Sequence, residues 1–223
     1  LTALNGCPAV CVIWIGGVYS GPDREKEKSQ KNSGKNSRKT GDGGVSFFRR
    51  SAIILAGGAS TRMGQPKTML RLNGITLLER AVGLLEPYFD QITVVTNGDH
   101  SFGHLPVTLV QDIFTTGGKN PLQGIHAGLL ASGMPYQFVV ACDMPFLNLD
   151  LINYMGEYAP RYDVVVPKIG SYYQPLHAYY GRSCIDIIER QILNRDFKIT
   201  NFYARLKVRT VGLDEISLFD PHE

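Results

Sequence analysis

The sequence is poor in cysteine and has no long hydrophobic run, and each absence excludes a class of protein. Four cysteines among 223 residues are too few for the disulfide framework of a small secreted domain. Cys7 and Cys11 lie close together, but no histidine is near them, which argues against a zinc site. No apolar run approaches the ~20 residues of a membrane-spanning helix, and the apolar run at 8–15 precedes the basic residues, the reverse of a secretory signal. We therefore expect a cytoplasmic protein with reduced thiols and no membrane segment.

The small net charge of +3 conceals two segments of opposite sign. Residues 1–50 hold nine of the 23 Lys and Arg residues and four of the 20 Asp and Glu residues, so their balance is +5 and that of residues 51–223 is −2. Between 21 and 44 hardly any residue is apolar, a composition typical of disorder. We interpret 1–50 as a disordered or vestigial basic segment, with an arm that contacts nucleic acid or an acidic partner as the alternative. The domain at 51–223 is not expected to bind nucleic acid, because it has no basic excess.

The most informative segment is the glycine-rich loop LAGGASTRMGQPK at 55–67, which completes the apolar run SAIIL at 51–55. Glycines let the backbone approach phosphate oxygens and present several N–H donors to them. Arg62 and Lys67 stand where a guanidinium fork and an ammonium can neutralise phosphate charge. The loop predicts a triphosphate cradle, and the alternative is a glycine-rich turn with incidental basic residues.

The loop matches neither of the two commonest phosphate-binding motifs. A P-loop requires Gly-x-x-x-x-Gly-Lys-Ser/Thr, whereas Lys67 stands three residues after Gly64. The adjacent pair Gly57 and Gly58 breaks the Gly-x-Gly-x-x-Gly spacing of a dinucleotide fingerprint. The sequence therefore excludes both motifs.

Beyond the loop, apolar segments of helical and of extended period alternate. We expect strands at 91–96, 107–110, 136–142, 163–166, 176–180 and 207–211, helices at 76–85, 124–132, 149–158 and 184–193, and a helical turn at 200–206. This alternation predicts an α/β fold with a mostly parallel sheet covered on both faces. In such sheets the ligand lies at the carboxyl ends of the strands.

Polar residues follow the first four predicted strands, so they are expected to converge on one site. The glycine loop follows the first strand, and Asn97, Asp112 and Asp143 follow the next three. A lone carboxylate after a buried strand can hold Mg²⁺ together with substrate phosphates and water. The alternative makes Asp143 a turn residue or a helix cap, although Asn148 and Asp150 stand nearer the next helix and can cap it.

The string Leu-Ala-Gly-Gly-x-Ser-x-Arg-Met-Gly-x-x-Lys at 55–67 resembles the nucleotide-binding signature of the molybdenum cofactor guanylyltransferases, a MobA-like family of nucleotidyltransferases. The resemblance extends over about 51–220. It implies a three-layer, Rossmann-like sheet of the nucleotide-diphospho-sugar transferase type. The string CDMPFL, which begins at Cys142, is similar to the metal-binding motif of the same family.

The resemblance also implies a role for individual residues. Arg62, Lys67 and Asp143 are implied to be catalytic, with Mg²⁺ held by Asp143. The residues implied to bind the nucleotide are Leu55, Ala56, Gly57, Gly58, Lys67, Asn97, Asp112 and Asp143.

Later segments of the chain match the family less closely. Asn120 and Gln123 depart from the Gly-Pro-Leu-Ala-Gly-Ile stretch that shapes the base and ribose side of the pocket, and His126 is expected to be a helix residue without a catalytic role. Gln174 and Lys198 are implied to lie on the acceptor side. The chain lacks the family's Asn-x-Asn-Thr-Pro-Glu-Asp string near 219–223, which leaves acceptor binding less well supported.

The reaction that the resemblance implies is transfer of GMP from GTP to the molybdenum-bearing molybdopterin, with pyrophosphate as the second product. Molybdoenzyme maturation proteins are the implied partners. Cytidylyl relatives carry Leu-Ala-Ala-Gly where this chain has LAGG at 55–58, which favours GTP over CTP. The alternatives are transfer of CMP, transfer to another phosphorylated acceptor, and a homologue that binds nucleotide without catalysis.

Overall fold

A computed structural model describes residues 50–57, 70–97, 102–114, 118, 120–144 and 146–219. Its strands are β1 (Ser51–Leu55), β2 (Arg71–Leu72), β3 (Ile75–Thr76), β4 (Gln91–Val95), β5 (Thr108–Val110), β6 (Tyr136–Ala141), β7 (Val164–Ile169), β8 (Tyr172–Tyr173), β9 (His177–Gly181) and β10 (Val208–Val211). Its α-helices are α1 (Leu77–Leu85), α2 (Pro121–Ser132), α3 (Leu149–Tyr158), α4 (Ile185–Leu193) and α5 (Leu213–Ile216). The described residues also form 3₁₀ segments at Ala159–Arg161, Arg182–Cys184, Ile199–Arg205 and Ser217–Phe219.

The main sheet confirms the predicted mostly parallel α/β architecture. Its strand order is β10-β7-β9-β6-β1-β4-β5, with the short β8 paired to β7. β1 is parallel to both of its neighbours, β4 and β6. β5 pairs in parallel with β4, and β10 pairs in parallel with β7. β9 runs antiparallel to β6 and to β7, so it reverses direction inside an otherwise parallel region. The carboxyl ends of β1, β4, β5 and β6 therefore meet at one edge of the sheet.

Helices cover both faces of the sheet, so the predicted three-layer arrangement is also confirmed. In β1 the side chains of Ala52 and Ile54 pack in the core that contains α1 and α3, whereas Ile53 and Leu55 pack in the core that contains α2 and α4. Because both faces of β1 are buried, its sequence from Ala52 to Leu55 is continuously apolar instead of alternating. The α2 helix lies very close to β1: a Cβ added to Gly128 would stand 2.6 Å from Ile53 Cγ2.

Polar caps fix where the helices begin. Thr76 and Glu79 form a capping box at the start of α1. Asn120 accepts a hydrogen bond from the Gln123 backbone N–H at 3.2 Å, and Pro121 takes the first helical position, so α2 begins at 121 and not at 124 as predicted. The α3 helix is capped by Asn148, which accepts from the Leu151 N–H at 3.0 Å.

Some elements were not expected from the sequence. β2 and β3 form a separate hairpin whose turn residues, Asn73 and Gly74, have positive φ values of 54° and 84°. An Asn-Gly pair between short extended segments is a known hairpin signal that the sequence analysis missed. The short β8 and α5 were missed as well.

The segment at 1–49 lies outside the described residues, so its predicted disorder stays a prediction. Arg50, which was assigned to that segment, hydrogen-bonds through its backbone N–H to Asp90 Oδ2 at 2.8 Å. Among the described helices, none has the length and apolar character that crossing a bilayer requires.

Candidate active site

A cleft of about 960 Å³ opens at the carboxyl ends of the parallel strands. Its lining includes seven residues that the sequence analysis singled out: Leu55, Gly57, Asn97, Asp112, Asp143, Gln174 and Lys198. Ala56 is buried beside them, and its backbone N–H donates to the Val95 carbonyl at 2.8 Å. Gly58, Arg62 and Lys67 lie outside the described residues. The structure therefore brings together the described candidates from widely separated parts of the chain, while their roles stay predictions.

One side of the cleft, here called the strand-end half, is formed by Gly57, Asn97, Asp112 and Asp143. Asn97 Nδ2 donates to Asp112 Oδ2 at 2.6 Å, and the Asp112 backbone N–H donates to Asn97 Oδ1 at 3.2 Å. This reciprocal pair fixes both side chains at the ends of β4 and β5. A Cβ added to Gly57 would lie 3.6 Å from Asn97 Nδ2, so the glycine loop begins directly beside the pair.

Asp143 lies in the turn that follows β6, with its side chain exposed at the cleft. The turn is tied down on both sides, because the Cys142 N–H donates to the Leu55 carbonyl at 3.0 Å and the Met144 N–H donates to the Ala141 carbonyl at 3.2 Å. The alternative that Asp143 caps α3 is wrong, because Asn148 occupies the cap position. The carboxylate therefore stands across the cleft edge from the start of the glycine loop.

The donor set of the cleft suits Mg²⁺ better than a metal held by protein alone. Among the described residues, no group of three or more His, Cys, Asp or Glu side chains could hold a metal ion. Mg²⁺ commonly binds one or two carboxylates and takes substrate phosphates and water as its other ligands. One exposed carboxylate at Asp143 fits that requirement.

The N-terminus of α2 borders the same region. Asn120, Pro121 and Gly124 line the cleft, so the first turn of a 12-residue helix faces it. The unpaired N–H groups of a helix start carry partial positive charge, which favours an anion nearby. A Cβ added to Gly124 would stand 3.0 Å from Leu55 Cδ2 and 3.6 Å from Asp112 Oδ1. This glycine therefore allows the helix to approach the strand-end half closely.

The opposite side of the cleft, here called the hairpin half, is formed by the segments 171–176 and 197–200. It is more apolar and aromatic than the strand-end half, with the rings of Tyr172, Tyr173 and Phe197 and the polar side chains of Gln174 and Lys198. Tyr172 is 55% exposed despite its size. The sequence analysis did not identify this aromatic wall. The sequence signal that was available is Gly170 followed by Tyr172 and Tyr173, a glycine turn before two aromatic residues. In the structure Gly170 has a φ of 57°, as such a turn requires.

Among the described residues, two histidines are buried, and neither lines the cleft. His126 is a buried residue of α2, as predicted, and burial lowers its pKa against the opposing effect of Glu189, 3.7 Å away. His177 is fully buried on β9, and burial lowers its pKa to about 4. No histidine is among the described residues that line the cleft. Cys142 and Cys184 are buried free thiols.

Comparisons with known proteins agree with this geometry. A family model described as the MobA-like NTP transferase domain matches residues 52–210. A probable molybdenum cofactor guanylyltransferase of Pelotomaculum thermopropionicum is 36% identical over 170 residues, which are 76% of this chain and 82% of that protein.

Two solved structures, one similar in sequence and fold and one similar in fold alone, superpose on this chain. The molybdopterin-guanine dinucleotide biosynthesis protein A of Archaeoglobus fulgidus superposes with a TM-score of 0.64 at 31% identity, over 76% of this chain and 87% of that one. The 2-C-methyl-D-erythritol 4-phosphate cytidylyltransferase of Thermus thermophilus has a TM-score of 0.55 at 15% identity, over 77% and 97%. The second likeness shows only that the fold is shared with another nucleotidyltransferase.

Proposed function

The chain belongs to the MobA-like NTP transferase family, and we propose that it transfers GMP from GTP to the molybdenum-bearing molybdopterin with release of pyrophosphate. The observation that carries this proposal is one cleft lined by Gly57, by the hydrogen-bonded Asn97–Asp112 pair and by Asp143, together with an aromatic wall that carries Lys198. A triphosphate nucleotide suits the first side and a flat, phosphorylated acceptor suits the second. The similarity to guanylyltransferases supports the same assignment.

The strand-end half is proposed to hold the nucleotide. Gly57 leaves room for phosphate oxygens to approach the backbone, and Gly58, Arg62 and Lys67 are proposed to continue the cradle and neutralise its charge. Mg²⁺ bound to Asp143 and to phosphate oxygens would supply further stabilisation of negative charge. The N-terminus of α2 adds a favourable field for an anion.

The Asn97–Asp112 pair favours guanine as the base. A carboxylate is an acceptor only, and guanine presents two adjacent donors, N1–H and the N2 amino group, to a single carboxylate. Cytosine offers only its N4 amino group as a donor on the same edge. Asn97 Nδ2 donates to the Asp112 carboxylate, and the Asp112 backbone N–H donates to Asn97 Oδ1, so the pair orients the carboxylate for this recognition.

The proposed reaction is an in-line displacement at the α-phosphorus of GTP. An oxygen of the acceptor's terminal phosphate forms a bond to that phosphorus, and the bond from it to the β-bridging oxygen breaks, with the electron pair leaving on pyrophosphate. A phosphate monoester is already an anionic nucleophile, so the step requires no strong general base. Catalysis then depends on positioning and on stabilising charge as it develops. The absence of a histidine from the described lining agrees with this requirement.

Pyrophosphate release measured with a panel of substrates tests the proposal. The purified protein is incubated with Mg²⁺ and with GTP or CTP, and the acceptor is molybdopterin, a sugar phosphate or methylerythritol phosphate. Release that requires both GTP and molybdopterin supports the proposal. Release with CTP, or with another acceptor, assigns a different transferase, and tight GTP binding without release assigns a nucleotide-binding homologue.

A further inference from the structure

Beneath the hairpin half, two buried tyrosines form a chain of hydroxyl groups that ends on the backbone of the cleft wall. The Tyr180 hydroxyl is 2.7 Å from the Pro175 carbonyl oxygen and 2.8 Å from the Tyr203 hydroxyl. Tyr180 is fully buried and Tyr203 is 6% exposed. Neither ring is among the described residues that line the cleft, so the chain supports the wall from behind.

The direction of donation along this chain follows from elementary chemistry. The Pro175 carbonyl can only accept, so the single proton of the Tyr180 hydroxyl is donated to it. Tyr203 must then donate to the Tyr180 oxygen. Burial raises the pKa of both hydroxyls well above the ordinary value, so both keep their protons at neutral pH. The order is therefore Tyr203 to Tyr180 to Pro175.

This chain connects the two segments that make up the hairpin half. Pro175 belongs to the segment 171–176, which carries Gln174, and Tyr203 belongs to the 3₁₀ segment Ile199–Arg205, which directly follows Lys198. The rings of Tyr173 and Tyr203 also pack edge to face, with centroids 5.3 Å apart. The hydroxyl chain thus links the backbone beside Gln174 to the segment after Lys198.

Each segment is also anchored to its own surroundings. The Gln174 N–H donates to the Pro167 carbonyl at 2.9 Å, and the His177 N–H donates to the Gln174 carbonyl at 3.0 Å. On the other segment, Gln191 Nε2 donates to the Lys198 carbonyl at 2.8 Å. Because these bonds hold each wall separately, the separation between the walls depends on contacts that cross from one to the other.

We propose that Tyr180 and Tyr203 are positioning residues that set the separation of the two walls of the hairpin half, and hence the fit of the acceptor. This inference rests on the proposed function, because it takes the hairpin half as the acceptor site. The ligand it serves is a flat heterocycle that carries a phosphate, which suits an aromatic wall with Gln174 and Lys198 on it. Neither tyrosine is proposed to touch the reacting atoms.

The test compares three single tyrosine-to-phenylalanine variants, at Tyr180, Tyr203 and Tyr179, and the double variant of Tyr180 and Tyr203. Tyr180→Phe removes the donor to Pro175 and the acceptor for Tyr203, so we expect the KM for molybdopterin to rise about fivefold while the KM for GTP is unchanged. Tyr203→Phe leaves the bond to Pro175 intact and should have a smaller effect. The double variant should be no worse than Tyr180→Phe, because both residues act through one chain.

Tyr179→Phe is the matched control. Tyr179 is the neighbouring residue of β9, is 5% exposed, and packs in the core on the other face of the sheet. Its hydroxyl has no hydrogen-bond partner among the described residues. The variant therefore removes a buried hydroxyl from the same strand without affecting the chain, and both KM values should stay as in the wild type.

Three results would overturn the inference. These are an unchanged KM for molybdopterin in Tyr180→Phe at a temperature where the variant is folded, an equal rise in both KM values, and an equal effect of Tyr179→Phe. Hydrogen exchange of the Gln174 and His177 amides gives a readout that does not depend on the acceptor, and it should be faster in Tyr180→Phe than in Tyr179→Phe. If the wild type releases no pyrophosphate with GTP and molybdopterin, the proposed function fails, and equal exchange in the two variants would then overturn the positioning role.

Discussion

The two halves of the cleft are built in different ways. The strand-end half consists of residues just beyond parallel strands: Asn97, Asp112 and Asp143 each stand two positions after the last residue of a strand, so the sheet itself brings them together. The hairpin half consists of two segments that are held from behind by side chains of β9, α4 and a 3₁₀ segment. Polar groups in the first half are therefore positioned by backbone pairing, and those in the second half by buried hydrogen bonds. We expect substitutions to affect the two substrates separately.

The largest expected effect is on the strand-end half. Asp143→Asn removes the carboxylate proposed to bind Mg²⁺, so kcat should fall about 100- to 1,000-fold, as for the loss of other groups that stabilise charge in a transition state. The KM for molybdopterin should change little, because the hairpin half is intact. Pyrophosphate release measured over a range of molybdopterin concentrations at saturating GTP gives kcat and this KM, and varying Mg²⁺ gives the metal dependence.

Asp150→Asn is the control for that change, because Asp150 is an exposed residue in the first turn of α3. Its kcat should stay within about twofold of the wild type, as is usual for surface substitutions. An Asp143→Asn enzyme that retains full kcat would show that the carboxylate has no part in the reaction.

Acid should lower the free energy of unfolding, and the buried His177 on β9 is the residue expected to cause this. Burial lowers the pKa of His177 in the folded protein to about 4 from the ordinary value of 6.5, so between these values the unfolded chain binds a proton that the folded chain does not. The free energy of unfolding should therefore fall as the pH drops from 6.5 to 4, by about 1.4 kcal/mol per unit and about 3 kcal/mol in all. Urea denaturation at several pH values measures this slope.

His177→Leu should flatten that slope, because it removes the buried imidazole whose pKa burial lowers. If the free energy of unfolding of His177→Leu depends on pH as in the wild type, a group other than His177 causes the sensitivity to acid.

A smaller effect is expected where the glycine loop meets the Asn97–Asp112 pair. Gly57→Ala would place a methyl group 3.6 Å from Asn97 Nδ2, an ordinary contact that the fold can accept but one that narrows the space beside the base. The ratio of kcat/KM for GTP to that for CTP should fall about tenfold.

Gly83→Ala, on the exposed side of α1 with nothing within 4 Å of an added Cβ, is the matched control. If Gly57→Ala leaves the ratio of kcat/KM for GTP to that for CTP unchanged, Gly57 does not determine which base is selected.

The smallest expected effect is on the hairpin half. Gln191→Leu removes the donor to the Lys198 carbonyl, which lies 2.8 Å from Gln191 Nε2. The KM for molybdopterin should rise about threefold, within the range expected for one hydrogen bond, and the KM for GTP should not change. The exposed Arg190 of the same helix provides the control Arg190→Leu. A rise in the KM for GTP instead would mean that Lys198 serves the nucleotide.

Much of the strand-end half could be predicted from the sequence, because each of its residues is recognised from the short segment around it. A buried strand is recognisable as an apolar run, and the polar residue that ends it marks the ligand edge of a parallel sheet. This reasoning located Gly57, Asn97, Asp112 and Asp143 at one cleft, which they line. Their chemical roles remain predictions, as do those of Arg62 and Lys67.

The hairpin half could not be predicted in the same way. The antiparallel direction of β9 and the short β8 depend on pairing between distant segments, and an apolar run does not reveal its direction. The chain from Tyr203 to Pro175 joins residues that share no motif, and a tyrosine's burial and hydrogen-bond partner depend on what packs around it.

The sequence by itself determined the α/β class, the order of most elements and the edge of the sheet where the polar residues collect. The period of apolar residues and the polar residues that end each strand are local features of the sequence, and they do not depend on how distant segments pack. Only the tertiary structure decided which residues form the aromatic wall, which oxygen each buried tyrosine faces, and which residue caps α3. Those choices depend on competition for space and for hydrogen bonds within the packed interior, where a buried polar group is stabilised when another part of the chain supplies it with a partner.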